Sequence, residues 1–386
     1  MVYLDYAAST PLADDVFEAM LPWLREHYGN PSSIHGHGRV LRACIEKCRR
    51  QVADELGCPP GSIIFTSGGT EADNLALKSA VRCFPVKLIV TAATEHHAVL
   101  HPAESLSKEL GIAVHYLAVD SEGFISLDEL TQVLNDRPAG EVFVSLMHAN
   151  NETGALLDLE AVARCCAEHG ALFHSDTVQT IGQLPINLHD TRVHFLTASA
   201  HKFYGPQGAG FLYCSPEVQL PAQICGGGQE RNRRSGTENV AGIVGTAAAF
   251  VAARQQAQAY AVHTRTLKQL FRQQLIDRIP EVQFNGPKDE DRVLSSVLNV
   301  SFPGEGTDSI LIYQLDMKGI SVSGGSACSS GSAVGSHVLR AMGLSPARVA
   351  HAVRFSFGWD TTAEQLSSVV DVLAECLAPV VARVRK

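Results

Sequence analysis

Six short apolar runs constrain the fold more than any other feature of the chain: SIIFTS (62–67), KLIVTA (87–92), VFVSLMHA (142–149), ALFHSD (171–176), FLTASA (195–200) and AGFLYC (209–214). Each reads as a β-strand. Between most of them lie stretches with apolar spacing near 3.6, which predict helices at about 70–84, 97–110 and 158–168. Strands that alternate with helices make a largely parallel sheet covered on both faces. A long helical region then runs over about 238–275, too extended for another crossover and suited to bridging two domains. Beyond it the pattern is that of a smaller α/β unit, with strands near 296–302, 319–323 and 352–357 and helices near 307–316, 335–342 and 361–381. At 386 residues the chain is long for a single core, which also favours two domains.

Composition removes several function classes. With 45% hydrophobic and 18% charged residues the chain is ordinarily globular, and it has no uninterrupted apolar tract long enough to span a bilayer. A net charge of −9 argues against a large nucleic-acid footprint. The start, MVYLDYAAST, has neither a basic segment nor a following apolar run, so a cytoplasmic setting without a secretory signal is expected. In that setting the ten cysteines are thiols, not a disulfide framework. No CxxC pair and no zinc-finger spacing occurs, so no metal site is expected. Cys44, Cys48, Cys58, Cys83, Cys165, Cys166, Cys214, Cys225 and Cys376 read as small buried hydrophobes. Cys328 differs, because SGGSACSS surrounds it with glycine, alanine and serine.

The chemistry is expected at the carboxyl ends of the strands, where open α/β sheets bind their ligands. TSGGTEADN (66–74) puts a glycine pair and Thr70 ahead of a helix, an arrangement that admits a phosphate to backbone N–H groups. It matches neither the P-loop nor the dinucleotide fingerprint. SAHKFYGPQG (199–208) places Lys202 after an apolar strand, where an amine is costly unless paired or condensed with an aldehyde. FHSDTVQT ends another strand in Asp176, with Gln179 three residues on, and a protonated pyridine nitrogen would partner that carboxylate. A phosphate cradle, a ring-nitrogen partner and an amine are the three needs of pyridoxal phosphate. Taken singly, the glycine pair and Lys202 have plain alternatives: a glycine turn capping a helix and a solvated loop lysine.

From YLDYAASTP through GNPSS, FTSGGTEADN, TEHHAVL, HANNETG, HSDTVQT, SAHKFYGPQG, GGGQERNRRSGTENV and SGGSACSS to VRFSFG, nearly the whole chain resembles the group I cysteine desulfurases of the NifS/IscS type. These are fold-type I pyridoxal phosphate enzymes of the class V aminotransferase family. The resemblance implies a large cofactor-binding domain (13–255) with a mostly parallel seven-stranded sheet flanked by helices. A smaller α/β domain (1–12 and 256–386) would carry the catalytic cysteine loop at about 323–335.

By the same resemblance Lys202 is the amine that binds the cofactor and moves protons, and His96 stacks on the ring and acts as acid or base. The neighbouring His97 is expected at the surface, and His35, His37 and His148 in structural roles. Asp176 pairs with the ring nitrogen, Gln179 and Asn151 bond near the phenolic oxygen, and Gly69, Thr70, Ser199 and His201 hold the phosphate. Thr237 is donated to the neighbouring subunit's phosphate, which makes a homodimer. Arg354, with Asn151 near it, binds the carboxylate of L-cysteine by the forked geometry that arginine favours. Cys328 takes the sulfur as a persulfide, leaves L-alanine and passes the sulfur to a protein acceptor. That acceptor would serve iron-sulfur cluster assembly, tRNA or cofactor thiolation, or DNA phosphorothioation, without direct contact to nucleic acid or membrane.

SGGSACSS departs from the usual SSGSACTS at Gly324 and Ser329, which bears on loop stiffness and docking but not on the nucleophile. Two other readings use the same fold. Another lyase or aminotransferase, such as a selenocysteine lyase, would leave Cys328 without a role, and a non-catalytic sulfur-carrier scaffold would not need Lys202 and Asp176.

Overall fold

The computed structural model describes residues 1–186, 188, 191–304, 310–324 and 335–384. Cys328 and most of the loop predicted at 323–335 lie outside the described residues.

Twelve strands occur among them, namely β1 (Val2–Tyr3), β2 (Ile63–Thr66), β3 (Leu88–Ala92), β4 (Ala113–Leu117), β5 (Val142–Ser145), β6 (Leu172–Asp176), β7 (Phe195–Ser199), β8 (Gly210–Cys214), β9 (Gln283–Asn285), β10 (Val297–Ser301), β11 (Ile320–Ser321) and β12 (Ala352–Ser356). Seven form one sheet in the order β2-β8-β7-β6-β5-β3-β4. Only β8 runs against its neighbours; the pairs from β7 to β4 are parallel. Each helical crossover thus returns the chain to the same sheet edge, and the strands' carboxyl ends collect on one side.

Successive strand residues enter opposite cores, which is why these runs are apolar without interruption. Ile63 and Phe65 join one cluster with Val144, Phe173 and Leu196, whereas Ile64 joins another with Phe143, Leu172 and Phe195. The predicted helices appear at Gly69–Cys83, His97–Leu110 and Leu159–Glu168. The predicted strand at 142–149 stops pairing as a strand at Ser145, yet Leu146 and His148 still donate N–H bonds to His174 and Asp176 beside them. This irregular continuation carries the backbone into the site.

The long helix spans Val240–Arg278, and its 39 residues reach about 58 Å at the usual α-helical rise. Its first half packs Ala241, Val244 and Phe250 into the core of the large sheet. Its second half packs Leu267, Phe271 and Leu275 into a separate core with Leu4, Val300 and Phe355. That second core covers an antiparallel sheet, β12-β10-β9. β1 pairs in parallel with β11, Val2 opposite Ile320, so the first residues of the chain are held by its last third. The turn that follows β1 brings Asp5, Ala7 and Ala8 to the carboxyl ends of the large sheet. No helix among the described residues is long and apolar enough to cross a membrane.

Candidate active site

At the end of β2 the chain turns through Gly68, whose φ of +147° suits glycine, and enters the helix Gly69–Cys83. A Cβ on Gly69 would stand 2.6 Å from Val178 Cγ2, and one on Gly68 would face Ser199 Oγ at 3.4 Å. The two glycines therefore open a recess in which the first helical N–H groups, Thr70, Ser199 and His201 meet. Glu71, in the first turn, would repel an anion there. Burial favours its neutral form, but the Arg234 guanidinium and the Ser67 N–H outweigh that and hold the carboxyl below its usual value. Arg234 grips it with Nε and Nη2 at 2.8 and 3.2 Å.

Lys202 follows β7 by a single tight turn, Ala200–Lys202. Its Nζ donates to the Ala7 and Ala8 carbonyls at 2.6 and 2.9 Å, and Gln179 Nε2 donates to the Ala7 carbonyl at 3.0 Å. Beside it, burial and then the Lys202 charge push His201 down to about 4, so the ring is neutral at pH 7. His96 caps the helix His97–Leu110: its Nδ1 accepts from the Ala98 N–H at 3.1 Å, which assigns the ring proton to Nε2. Burial lowers its pKa, opposed by Asp176.

Asp176 closes β6 and is buried; its Oδ1 accepts from the Val178 N–H at 2.9 Å and the Thr197 hydroxyl at 3.4 Å. Burial, and then the nearby Asp73, push its pKa up to about 6. Asp73 itself is driven to about 7 by burial. His174 cannot compensate: its Nε2 lies 3.4 Å from Asp73 Oδ1 without hydrogen-bonding to it, and burial lowers its pKa to about 4. A buried carboxyl in this state calls for a cationic N–H from within the cavity. Together with the anion-accepting recess and the Lys202 amine, that demand fits the chemistry of pyridoxal phosphate, which needs a ring-nitrogen partner, a phosphate cradle and an amine.

On the far wall, Arg354 projects from β12. Its Nη2 pairs with Asp5 Oδ1 at 2.7 Å and its Nη1 donates to the Asn151 carbonyl at 2.9 Å. Among the described residues its buried Nε has no hydrogen-bond partner. Glu152 is wholly buried next to it; Oε2 accepts from the Ser336 hydroxyl, and Oε1 has no partner among the described residues. Burial pushes this carboxyl up to about 7, with Ser336 and Arg354 acting against it.

Ten of the predicted residues, Gly69, Thr70, His96, Asn151, Asp176, Gln179, Ser199, His201, Lys202 and Arg354, thus line one cavity of about 250 Å³. Thr237 does not. It is exposed, in a separate recess with Ser67, Gly208 and Arg234. His97, expected at the surface, is half-buried on the cavity wall and lies 4.5 Å from the ring of His337, because the two helices carrying them meet there. His35 caps a helix, His37 stacks on Tyr28, and His148 bonds Thr180. Cys83 and Cys225 are exposed, unlike the buried small hydrophobes expected there. Both lie outside the segments that the sheet covers: Cys83 ends a helix and Cys225 follows the last strand of the sheet.

Sequence reasoning passed over Asp5, Asp73, Glu152 and His337. Asp73 has a local signal, since it lies three residues after Thr70 on the same helix face. Glu152 adjoins Asn151 in HANNETG, and its burial was the missing information.

The class-V aminotransferase family model matches residues 2–369. Cysteine desulfurase IscS of Dictyoglomus turgidum is 44% identical over 375 residues, covering 96% of this chain and 93% of the relative. Among solved structures, a NifS-like protein superposes with a TM-score of 0.90 at 37% identity, covering 98% of this chain and 99% of that one. The protein SspA, in a structure with cysteine, superposes at 0.79 with 32% identity, covering 92% and 99%. The cavity at the strand ends is therefore that of a PLP-dependent cysteine desulfurase of the NifS/IscS type, and the chain belongs to the class-V aminotransferase family.

Proposed function

We propose that the chain acts as a homodimer in the cytoplasm on L-cysteine, and that Cys328 carries the released sulfur to a protein acceptor. The observation that carries this reading is the convergence of ten residues from scattered segments, Arg354 among them, on one cavity. SspA, a structural relative, is in complex with cysteine in its own solved structure. The domain division at 13–255 against 1–12 with 256–386 belongs to the same proposal, and is supported by the two cores that share the long helix.

Pyridoxal phosphate, when bound, supplies an electron sink that makes the proton on the substrate α-carbon labile. Lys202 would hold the cofactor through its amine and would move the proton at the substrate α-carbon. Its Ala7 and Ala8 carbonyl partners aim it across the cavity. Asp176 would keep the ring-nitrogen proton in place. His96, neutral and carrying its proton on Nε2, would serve as an acid/base group. Gln179 and Asn151 would orient the phenolic edge, while Gly69, Thr70, Ser199 and His201 would hold the phosphate. Arg354, which lines the cavity, binds the substrate carboxylate. The Cys328 thiolate attacks the substrate sulfur: an S–S bond forms as the C–S bond breaks, leaving a persulfide and, after protonation at carbon, L-alanine. A free thiol is only a few per cent ionised near neutral pH, so the site must assist its deprotonation.

The acceptor belongs to iron-sulfur cluster assembly, tRNA or cofactor thiolation, or DNA phosphorothioation. Incubating the holoenzyme with sulfur-labelled cysteine and then with cell extract identifies it. Label is expected on the wild-type enzyme and then on one acceptor protein, and on neither with Cys328→Ala. Full sulfide release by Cys328→Ala would overturn the persulfide reading.

A further inference from the structure

The segment that bears Thr237 is built with more restraint than an exposed loop requires. Glu230, Arg231 and Asn232 hold positive φ values of 45°, 59° and 62°, a left-handed turn that non-glycine residues adopt only when their surroundings enforce it. The buried Arg49 enforces it with a forked pair to Glu230 at 2.7 and 2.8 Å, and Glu230 also accepts the Phe65 N–H at 3.0 Å. Arg42 pairs with Glu238 at the other end, at 3.2 Å. Between these anchors, Arg234 reaches Glu71 in the first turn of the phosphate-cradle helix, one residue beyond Thr70. Glu71 in turn accepts the Ser67 N–H at 2.9 Å, which fixes the approach to Gly68. One ion pair thus touches both the chain's own cradle and, three residues before Thr237, the segment directed at a second phosphate.

We propose that Arg234, through its forked pair with Glu71, is a positioning residue for phosphate recognition at both sites of the dimer, setting its own subunit's cradle and the Thr237 presented to the partner. This rests on the reading that Thr237 acts across the dimer. Without Arg234, Glu71 would face the cradle as an uncompensated negative charge and the Thr237 segment would lose its central anchor. Both losses fall on the phosphate rather than on the ring or the amine.

The test titrates apoprotein with pyridoxal phosphate and, separately, with pyridoxal, which lacks the phosphate, following the visible absorbance of the bound aldehyde. For Arg234→Gln the Kd of pyridoxal phosphate is expected to rise about tenfold while that of pyridoxal stays within about twofold, and Arg234→Lys, with charge but no fork, falls between. Combined with Thr237→Ala, the effects should be less than multiplicative, because part of each acts through the same contact. Equal weakening of the two ligands, an unchanged Kd for Arg234→Gln, or fully independent effects would each overturn the proposal. If Thr237→Ala weakens binding and Arg234→Gln does not, the link fails while the trans reading stands. If Thr237→Ala alone changes nothing, the trans reading fails and the link falls with it.

Discussion

Glu152 is a buried acid whose ionised form is only partly supported, by one hydroxyl and by Arg354. In the folded chain it keeps its proton to about pH 7, whereas unfolded it would lose it near the ordinary glutamate value of 4.5. A raised acid contributes stability that is fully present below the unfolded value and is lost as pH rises through the folded one. The interval corresponds to about 3 kcal/mol at most. Glu152→Gln keeps an acceptor for Ser336 and removes the ionisation. Urea unfolding of the apoproteins should give similar stabilities at about pH 5 and a relative gain for the variant of about 1–3 kcal/mol at about pH 8. A parallel pair of pH curves would show that Glu152 is ionised in both states. Lys202 and Asp176 were legible in the sequence because a charged group closing an apolar strand must have a partner. Glu152 was not, since its hydroxyl partner is 184 residues away, and neither was the Asp5 carboxylate that holds Arg354 from 349 residues away. Such pairings exist only once the two cores have docked.

Elements buried on both faces were the readable ones. Five of the six apolar runs match their strands to within a residue or two, because two cores demand side chains from every position. The edge strand β4 escaped notice: Ala113–Leu117 buries only its last residue, so no apolar run marks it. The predicted end of β5 runs too far for the opposite reason, since Leu146 and Met147 are apolar and buried yet lie beyond Ser145, the last residue of the strand. Close backbone contacts are equally invisible in a string of letters. Gly210 on β8 lies directly behind the cradle, and a Cβ there would overlap the Ala198 carbonyl oxygen and come within 2.9 Å of Gly68 Cα. Backbone on both sides cannot rotate away as a side chain can. Gly210→Ala is therefore expected to lose about 1–3 kcal/mol of stability and to weaken pyridoxal phosphate binding by displacing Gly68. Gly36→Ala, at a helix start with only an arginine tip within 4.0 Å, should stay within about 0.5 kcal/mol of wild type in the same urea titration. Comparable losses in the two variants would mean that the cradle has slack behind it.

At the scale of the molecule, the site as one chain presents it is open at its phosphate end, where Ser67, Gly68, Glu71 and Gln207 line a recess continuous with the cavity. Thr237 lines a neighbouring recess, between the ion pairs Arg234–Glu71 and Arg42–Glu238. The same chain leaves Leu24, Tyr28 and Ile34 exposed at 63%, 83% and 91% in its first 40 residues, an apolar surface of the kind that a second copy covers. Co-expression of Lys202→Ala with Thr237→Ala subunits separates the two possible assignments of Thr237. In the mixed dimer the Thr237→Ala subunit keeps its lysine and receives an intact threonine from its partner, so one complete site is restored. Random association makes about half the dimers mixed, and about a quarter of the wild-type number of high-affinity sites should return. The measurement is sulfide release at a pyridoxal phosphate concentration below the Thr237→Ala dissociation constant. If the threonine served its own chain, no complete site would form in any dimer, and the mixture would stay at the mean of its two parents.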